Sequence, residues 1–146
     1  MSEIVRQATC VVIAGASGNR AVLIEGAPGS GKSSLALALI DRGAQLLGDD
    51  GVMLVSAGAR LLARPHPNTR GLLEVRNLGL LDFPVCDEAP VALVLRLDDA
   101  APRFIEAAER IVIAGHDLPF LRLWPGGPAL PLKTELALAK YGLFRS

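Results

Sequence analysis

The chain has 146 residues, of which 51% are hydrophobic, and its 15 basic residues balance its 15 acidic residues to a formal net charge of +0. This composition supports a globular protein with a substantial core. It contains no run of Lys or Arg of the kind that follows a nucleic-acid backbone or an anionic membrane. We therefore expect no nucleic-acid partner.

The first residues and the cysteines indicate the cellular compartment of the protein. The opening stretch, MSEIVRQATCVVIAG, is unlike a signal peptide, and no apolar run approaches the ~18 residues of a membrane-spanning helix. Cys10 and Cys86 lack metal-ligand spacing and lie among apolar residues, so we interpret both as buried, reduced thiols. These features predict a cytoplasmic protein with no membrane association.

The first half of the chain predicts strands on both sides of one helix. Two short runs, ATCVVIA and AVLIE, are joined by the turn-rich link GASGN, which is typical of a hairpin. Residues 33–42 are rich in Leu and Ala, with Gly43 directly after them, and predict a helix. Short strands divided by glycine-containing turns are then predicted in AQLLGDDGVMLVSAGARLLARP, and a loop in PHPNTRG.

The second half continues this pattern. Strands are indicated by LLEVRNLGLLDFP, VALVLRLDD and LPFLRLWP, and the final LKTELALAKYG predicts a helix. No internal repeat or change of composition is visible, so we predict one domain over residues 1–146. Short strands before and after a longer helix favour an α/β fold with a mixed sheet over strict alternation of strand and helix.

One stretch has a specific nucleotide-binding pattern. Residues 26–33, GAPGSGKS, satisfy G-x-x-x-x-G-K-[ST] at every fixed position and lie between a predicted strand and a predicted helix. Backbone N–H groups of such a P-loop surround phosphate oxygens, and the helix N-terminus adds a partial positive charge. We expect ATP and Mg²⁺ as ligands, with Lys32 at the β- and γ-phosphates and Ser33 on the metal. The predicted nucleotide-binding residues are Gly26, Ala27, Pro28, Gly29, Ser30, Gly31, Lys32, Ser33 and Ser34.

Two acidic pairs are candidates for the carboxylate that such a site needs. Asp98 and Asp99 close the strand VALVLRLDD in the manner of a Walker B motif, whereas Asp49 and Asp50 follow the P-loop helix in LLGDDG. Adjacent carboxylates repel each other, and such pairs often mark a metal or proton-transfer site. Spacing alone does not choose between the two pairs.

Two segments resemble one known family. GAPGSGKSSLALALIDRGAQLLGDD is similar to the catalytic core of bacterial HPr kinase/phosphorylase, in which a P-loop, a helix, an RG pair and a strand lead to a paired-aspartate turn. LLEVRNLGLLD is similar to the second signature of that family, typically LEIRGLGIID. The resemblance runs from Gln7 to Leu123 and covers only the kinase domain, so the chain looks like a short form corresponding to the C-terminal catalytic domain.

The resemblance implies a fold, an activity and partners. The fold is a P-loop on a compact mixed sheet related to phosphoenolpyruvate carboxykinase. The activity is ATP-dependent phosphorylation of a seryl hydroxyl on the carrier protein HPr, with reversal by inorganic phosphate and release of pyrophosphate. The family also implies a homo-oligomer.

The resemblance also implies roles for individual residues. Asp50 matches the general base of the family, with Asp49 beside it, and Glu74 matches the acidic residue that shares Mg²⁺ with Ser33. Arg103 of APRF matches the catalytic arginine.

Some positions depart from the family pattern. Gln7 stands where the family has a histidine, and glutamine does not titrate near neutral pH, which puts the phosphorylase direction in question. Asn77 stands where the signature has a glycine. A basic segment of the family is replaced by ALPLKTELALAK.

Three functional hypotheses follow from these observations. The first is a serine kinase acting on a phosphocarrier protein. The second is a P-loop kinase for a small metabolite, for which Asp98 rather than Asp50 is the critical carboxylate. The third is a nucleotide-binding regulatory module with little turnover, a hypothesis that Gln7 and the altered C-terminal segment favour.

Overall fold

The computed structural model describes residues 3–16 and 18–144. Within these residues the strands are β1 (Glu3–Arg6), β2 (Thr9–Gly15), β3 (Gly18–Gly26), β4 (Gln45–Gly48), β5 (Val52–Ala57), β6 (Arg60–Pro65), β7 (Leu72–Val75), β8 (Gly79–Asp82), β9 (Ala89–Leu97), β10 (Glu109–Ile113) and β11 (His116–Leu123). The helices are α1 (Lys32–Asp41) and α2 (Leu130–Tyr141).

Nine of the strands form a mixed sheet. Its main order is β1-β5-β6-β9-β3-β2-β4, and β11 joins β9 and carries β10. Strand β9 runs parallel to β3 and to β11, whereas the other pairs in this sheet are antiparallel. The start of β9 pairs with β6, and its end pairs with β11. The sheet therefore branches at β9. The predicted α/β fold with a mixed sheet is confirmed.

The central strands are buried on both faces, which explains their continuous apolar sequences. In β3, Leu23 belongs to a core cluster on one face of the sheet, whereas Val22 and Ile24 belong to a cluster on the other face. Leu35 and Leu39 of α1 pack into the second cluster. Helix α1 is thus attached to the strand that precedes the P-loop, and this packing fixes the position of the loop.

Most predicted elements are confirmed, and two strands are additional. The β2–β3 hairpin, α1 and the strands after it lie where the sequence predicts them, although residue 17 of the GASGN link is outside the described residues. Strands β1 and β10 were not predicted. Both are short, and their largely exposed residues include Glu3 and Arg110, as is common for edge strands.

The cysteines differ in environment. Both are free thiols, and Cys10 is buried as predicted, whereas Cys86 is only partly buried. Burial raises the pKa of the Cys10 thiol, and the neighbouring Cys86 raises it further. Cys10 is therefore a neutral core side chain. No helix among the described residues has the length and apolar character needed to cross a membrane.

The turn between β7 and β8 requires a left-handed backbone at Asn77. Its φ is 72°, and Gly79 follows with a φ of 99°. Asn accepts this conformation better than other residues with a side chain, which explains how it replaces the glycine of the resembling signature.

Substituting Asn77 tests this backbone constraint. We expect Asn77→Ala to lower the free energy of unfolding by about 1 kcal/mol, because alanine is strained in the left-handed region. Asn77→Gly should change it by less than about 0.5 kcal/mol, because glycine adopts the conformation without strain but loses more entropy on folding. Urea denaturation measures both values. Equal stability of the two variants would contradict the assignment.

Candidate active site

The P-loop lies between the end of β3 and the start of α1. Gly29 and Gly31 have φ values of 79° and 100°, and Gly31 is the N-cap of the helix. A Cβ at Gly26 would lie 2.6 Å from Ser30 Oγ and 3.2 Å from the Leu97 carbonyl oxygen. Close contacts at Gly26 and positive φ values at Gly29 and Gly31 disfavour residues with a side chain, which explains the glycines of this loop.

The loop has the donors that a polyphosphate needs. The first N–H groups of α1 have no acceptor within the helix, and Lys32, Ser33 and Ser34 line a cavity at this end. Lys32 Nζ donates to the carbonyl oxygens of Gly26 and Ala27, at 2.8 and 3.1 Å. The buried Ser30 hydroxyl has no hydrogen-bond partner within the described part of the chain. Cationic and N–H donors of this kind fit the phosphates of a nucleotide.

Asp49 joins three separate segments of the site. Its Oδ1 accepts hydrogen bonds from Ser33 Oγ at 2.8 Å and Thr9 Oγ1 at 2.9 Å, and its Oδ2 accepts one from the Glu74 backbone N–H at 3.1 Å. The residue is only 8% exposed. A buried carboxylate is stable in the core only when it is hydrogen-bonded in this way. Asp49 therefore holds the start of α1, strand β2 and strand β7 together.

Asp50 differs from its neighbour in exposure and backbone. It is exposed and lines the cavity, whereas Asp49 is buried. Its φ of 63° is unusual for a residue other than glycine. Such backbone conformations cost free energy and are often found at functional sites. The two adjacent carboxylates thus have different surroundings, one in the core and one in contact with solvent.

The cavity brings together most of the predicted site residues. It has a volume of about 190 Å³. Its lining consists of Thr9, Pro28, Gly29, Gly31, Lys32, Ser33, Ser34, Asp49, Asp50, Glu74 and Arg76. The predicted metal ligands Ser33 and Glu74 are both present. Gly26, Ala27 and Ser30 belong to the loop but do not line the cavity.

Arg103 and Asp98 lie elsewhere. Arg103 is exposed in the segment after β9 and does not line the cavity, so its assignment as the catalytic arginine stays a prediction. Asp98 follows β9 beside the P-loop strand, but its carboxylate accepts hydrogen bonds from the Ala100 N–H at 2.8 Å and Arg122 Nη1 at 3.3 Å. The Ala100 hydrogen bond, followed by Arg122, lowers the pKa of Asp98. Its contacts are those of a residue that stabilises a turn.

Sequence reasoning did not identify two of the residues that line the cavity. Thr9 lies in the ATCV run and was interpreted only as part of a strand, yet its hydroxyl is bound to Asp49. Arg76 directly follows the LLEV segment, and its Nη2 lies 3.8 Å from the position of a Cβ built on Gly29. The arginine in the second signature was the available signal for Arg76. Arg76 provides the cavity with a second cation in addition to Lys32.

Arg76 gives a prediction for nucleotide binding. We expect Arg76→Gln to weaken ATP binding about tenfold, because one charge-assisted hydrogen bond to phosphate is lost. Arg103→Gln is the matched control and should leave ATP affinity unchanged, since Arg103 lies outside the cavity. Isothermal titration calorimetry with a nonhydrolysable ATP analogue measures both affinities. Equal affinities in the two variants would remove Arg76 from the nucleotide site.

A second polar group borders the other side of the loop. Glu25 is 7% exposed and is paired with Arg6 at 2.6 Å and Arg96 at 3.4 Å. These residues and Gln7 line an open recess that also includes Gly26. Gln7 therefore lies beside the P-loop, at the position where the resembling family has a histidine.

Comparisons with known proteins agree with this arrangement. A sequence model of the family described as "HPr Serine kinase C-terminal domain" matches residues 3–111. The HPr kinase/phosphorylase of Neisseria meningitidis is 37% identical over 126 residues, which cover 81% of this chain and 39% of that protein. The HPr kinase/phosphorylase of Mycoplasma mycoides is 33% identical over 97 residues, which cover 62% of this chain and 31% of that protein. The chain thus spans less than half the length of these relatives.

A solved structure extends the agreement to the fold. The Hpr(Ser) kinase/phosphatase from Coxiella burnetii matches with a TM-score of 0.80 and 27% sequence identity, over 93% of this chain and 88% of that one. The family match includes the P-loop, the Asp49–Asp50 turn and the LLEVR segment, which the cavity brings together. This chain belongs to the HPr serine kinase C-terminal domain family.

Proposed function

We propose that this chain transfers the γ-phosphoryl group of ATP to a seryl hydroxyl of an HPr-type phosphocarrier protein. The main support is the Asp49 carboxylate, which accepts hydrogen bonds from Ser33, Thr9 and Glu74 and so joins the P-loop segment to β2 and to the second signature in one cavity. The names of the relatives support the choice of substrate. A cytoplasmic location and a homo-oligomeric assembly belong to the same proposal.

The proposed step begins at Asp50. Its exposed carboxylate accepts the proton of the seryl O–H while the seryl oxygen forms a bond to the γ-phosphorus. The bond between the γ-phosphorus and the β–γ bridging oxygen breaks, and ADP leaves with that electron pair. Asp50 suits this role because it lines the cavity beside Lys32 and is accessible to another protein.

The other residues of the site position the reacting groups and stabilise the negative charge of the phosphates. Lys32 and Arg76 provide cations for the phosphate oxygens, and the first N–H groups of α1 point to the same region. Asp49 orients the Ser33 hydroxyl by accepting a hydrogen bond from it. Mg²⁺ would be held by Ser33 and Glu74 and would neutralise charge on the β- and γ-phosphates.

The surroundings of the carboxylates favour this function over a small-metabolite kinase that uses Asp98. The Asp98 carboxylate is engaged by Ala100 and Arg122 and does not line the cavity. Asp50 has the exposure that a protein substrate needs. We assign the base to Asp50 for these reasons.

The reverse reaction is a separate part of the proposal. In that direction phosphate attacks the phosphoseryl group, pyrophosphate forms, and Asp50 returns the proton to the seryl oxygen. Gln7 beside the P-loop has no titratable group near neutral pH. We propose that this chain catalyses phosphorolysis more slowly than the forward transfer.

Transfer from labelled ATP to purified HPr tests the function. We expect label on wild-type HPr and none on HPr whose acceptor serine is replaced by alanine. Addition of phosphate and detection of pyrophosphate then test the reverse direction. Tight ATP binding without transfer to HPr would contradict the proposed substrate and would favour a regulatory nucleotide-binding role.

A further inference from the structure

A second cavity lies at the opposite end of the parallel strands. It has a volume of about 180 Å³, and its lining includes residues near the starts of β3, β9 and β11, namely Arg20, Val91 and Leu118. The P-loop begins instead at Gly26, at the end of β3. The distance along the strand from Arg20 to Gly26 is roughly 20 Å at about 3.3 Å per residue. The two cavities are therefore separate sites.

Arg20 is a buried cation for which the described residues provide no counterion. The residue is 9% exposed, and it forms no salt bridge among the described residues. Its Nη1 donates to the carbonyl oxygens of Leu138 and Leu143, at 3.4 Å each, and its buried Nε has no hydrogen-bond partner in the described chain. Burial of a charge is costly unless it is paired and hydrogen-bonded. This arrangement favours an anion in the cavity.

The other charged and polar groups of the lining leave an excess of positive charge. Arg60 also lines the cavity and has no salt bridge among the described residues. His116 Nε2 lies 2.7 Å from Ser56 Oγ and is engaged there. Asp117, the one carboxylate that the described residues contribute to the lining, is paired with Arg110 at 3.3 Å. Both arginines of the lining thus lack a carboxylate partner among residues 3–16 and 18–144.

The rest of the cavity wall is apolar. Leu61, Val91 and Leu118 are buried core residues, and Leu143 and Phe144 cover the cavity from the C-terminal segment. The Leu143 N–H donates to the Ala92 carbonyl oxygen at 2.9 Å and holds that segment against β9. Apolar walls favour a ligand with a hydrocarbon part over a fully hydrated ion. The volume limits that part to a short chain.

We propose that this cavity binds a small organic carboxylate with a short aliphatic chain. Its carboxylate pairs with the guanidinium groups of Arg20 and Arg60, which both line the cavity. Its aliphatic chain packs against Val91 and Leu118. Binding here does not depend on the phosphoryl transfer proposed above, because the cavity shares no residue with the P-loop site.

Arg20 also has a structural contact, which the test must separate from binding. Its Nη1 bonds to carbonyl oxygens of Leu138, in α2, and Leu143, so Arg20 substitutions would also destabilise the fold. Arg60 is a better residue to substitute, because it is only partly buried and is the first residue of β6. Arg70→Gln is the matched control, since Arg70 is an exposed arginine paired with Asp87 outside this cavity.

The test is an NMR titration of the labelled protein with butyrate. We expect saturable shifts of the Arg20 Nε–H signal and of the methyl groups of Val91 and Leu118, unchanged by Mg²⁺ and ATP. Arg60→Gln should weaken the affinity about tenfold through loss of one close charge. Arg70→Gln should leave the affinity unchanged.

Several results would overturn the proposal. Absence of saturable shifts at Arg20 and the cavity methyl groups would do so, as would equal affinities in the Arg60→Gln and Arg70→Gln variants. Shifts confined to P-loop residues would assign butyrate to the nucleotide site. Inorganic phosphate is the second probe, and saturable binding of phosphate without binding of butyrate would show that the carboxylate class is wrong.

Discussion

Asp50→Asn should strongly slow transfer to the seryl hydroxyl of HPr while ATP affinity stays within about twofold of the wild-type value. Removal of a positioned general base slows such a step by about 100- to 10,000-fold. Asp50 is exposed, so the substitution should have little effect on stability. The measurement combines single-turnover transfer from labelled ATP with calorimetric binding of a nonhydrolysable analogue. Loss of transfer with retained binding identifies a group that acts in the chemical step.

Asp98→Asn is the matched control for this prediction. It makes the same change of one oxygen to one amide, on the acidic pair that follows β9. Because the Asp98 carboxylate is engaged by Ala100 and Arg122, we expect transfer to stay within about threefold of the wild-type rate. If Asp98→Asn loses transfer and Asp50→Asn keeps it, the base is Asp98 and the assignment of Asp50 is wrong.

Asp49→Asn should weaken Mg²⁺ binding at the site and lower the stability of the fold. Asn at this position brings its NH₂ group against the donors of one oxygen, either Ser33 Oγ and Thr9 Oγ1 at Oδ1 or the Glu74 N–H at Oδ2. Loss of such an orienting partner typically costs about 10- to 100-fold in metal affinity or activity. One mismatched buried group costs about 1–3 kcal/mol of stability. We expect the Mg²⁺ concentration needed for half-maximal transfer to rise by at least about tenfold.

Two further measurements separate these effects. Thermal denaturation without nucleotide reports the loss of stability, and the Mg²⁺ dependence of the transfer rate reports the orientation of Ser33. Asp82→Asn, at an exposed aspartate in β8, is a control that should change neither. If Asp49→Asn lowers stability but leaves the Mg²⁺ dependence unchanged, Asp49 holds the segments together without acting on the metal.

Much of the site was predictable because its residues lie in contiguous motifs. The GAPGSGKS loop has local requirements, namely glycines with positive φ and a helix that starts directly after it, and the structure confirms both. Thr9 and Arg76 were harder to find, because the strand containing Thr9 and the turn after β7 reach the P-loop only through the fold. Strands β1 and β10 were not predicted, because edge strands bury little apolar surface and so have a weak apolar pattern in the sequence.

The sequence by itself determined the phosphate-binding loop, the mixed α/β class and the resemblance to the family. These depend on local backbone requirements and on apolar runs that are buried on both faces of a sheet. Spacing treats Asp49–Asp50 and Asp98–Asp99 alike, and although the resemblance points to the first pair, only the tertiary structure places Asp49 and Asp50 in the lining of the P-loop cavity. Hydrogen bonds across the fold place Asp49 on Ser33 and engage Asp98 with Arg122. The structure also placed the buried Arg20 in the wall of a cavity with no carboxylate partner in the described part of the chain, because its surroundings come from strands and a helix that are distant in the chain.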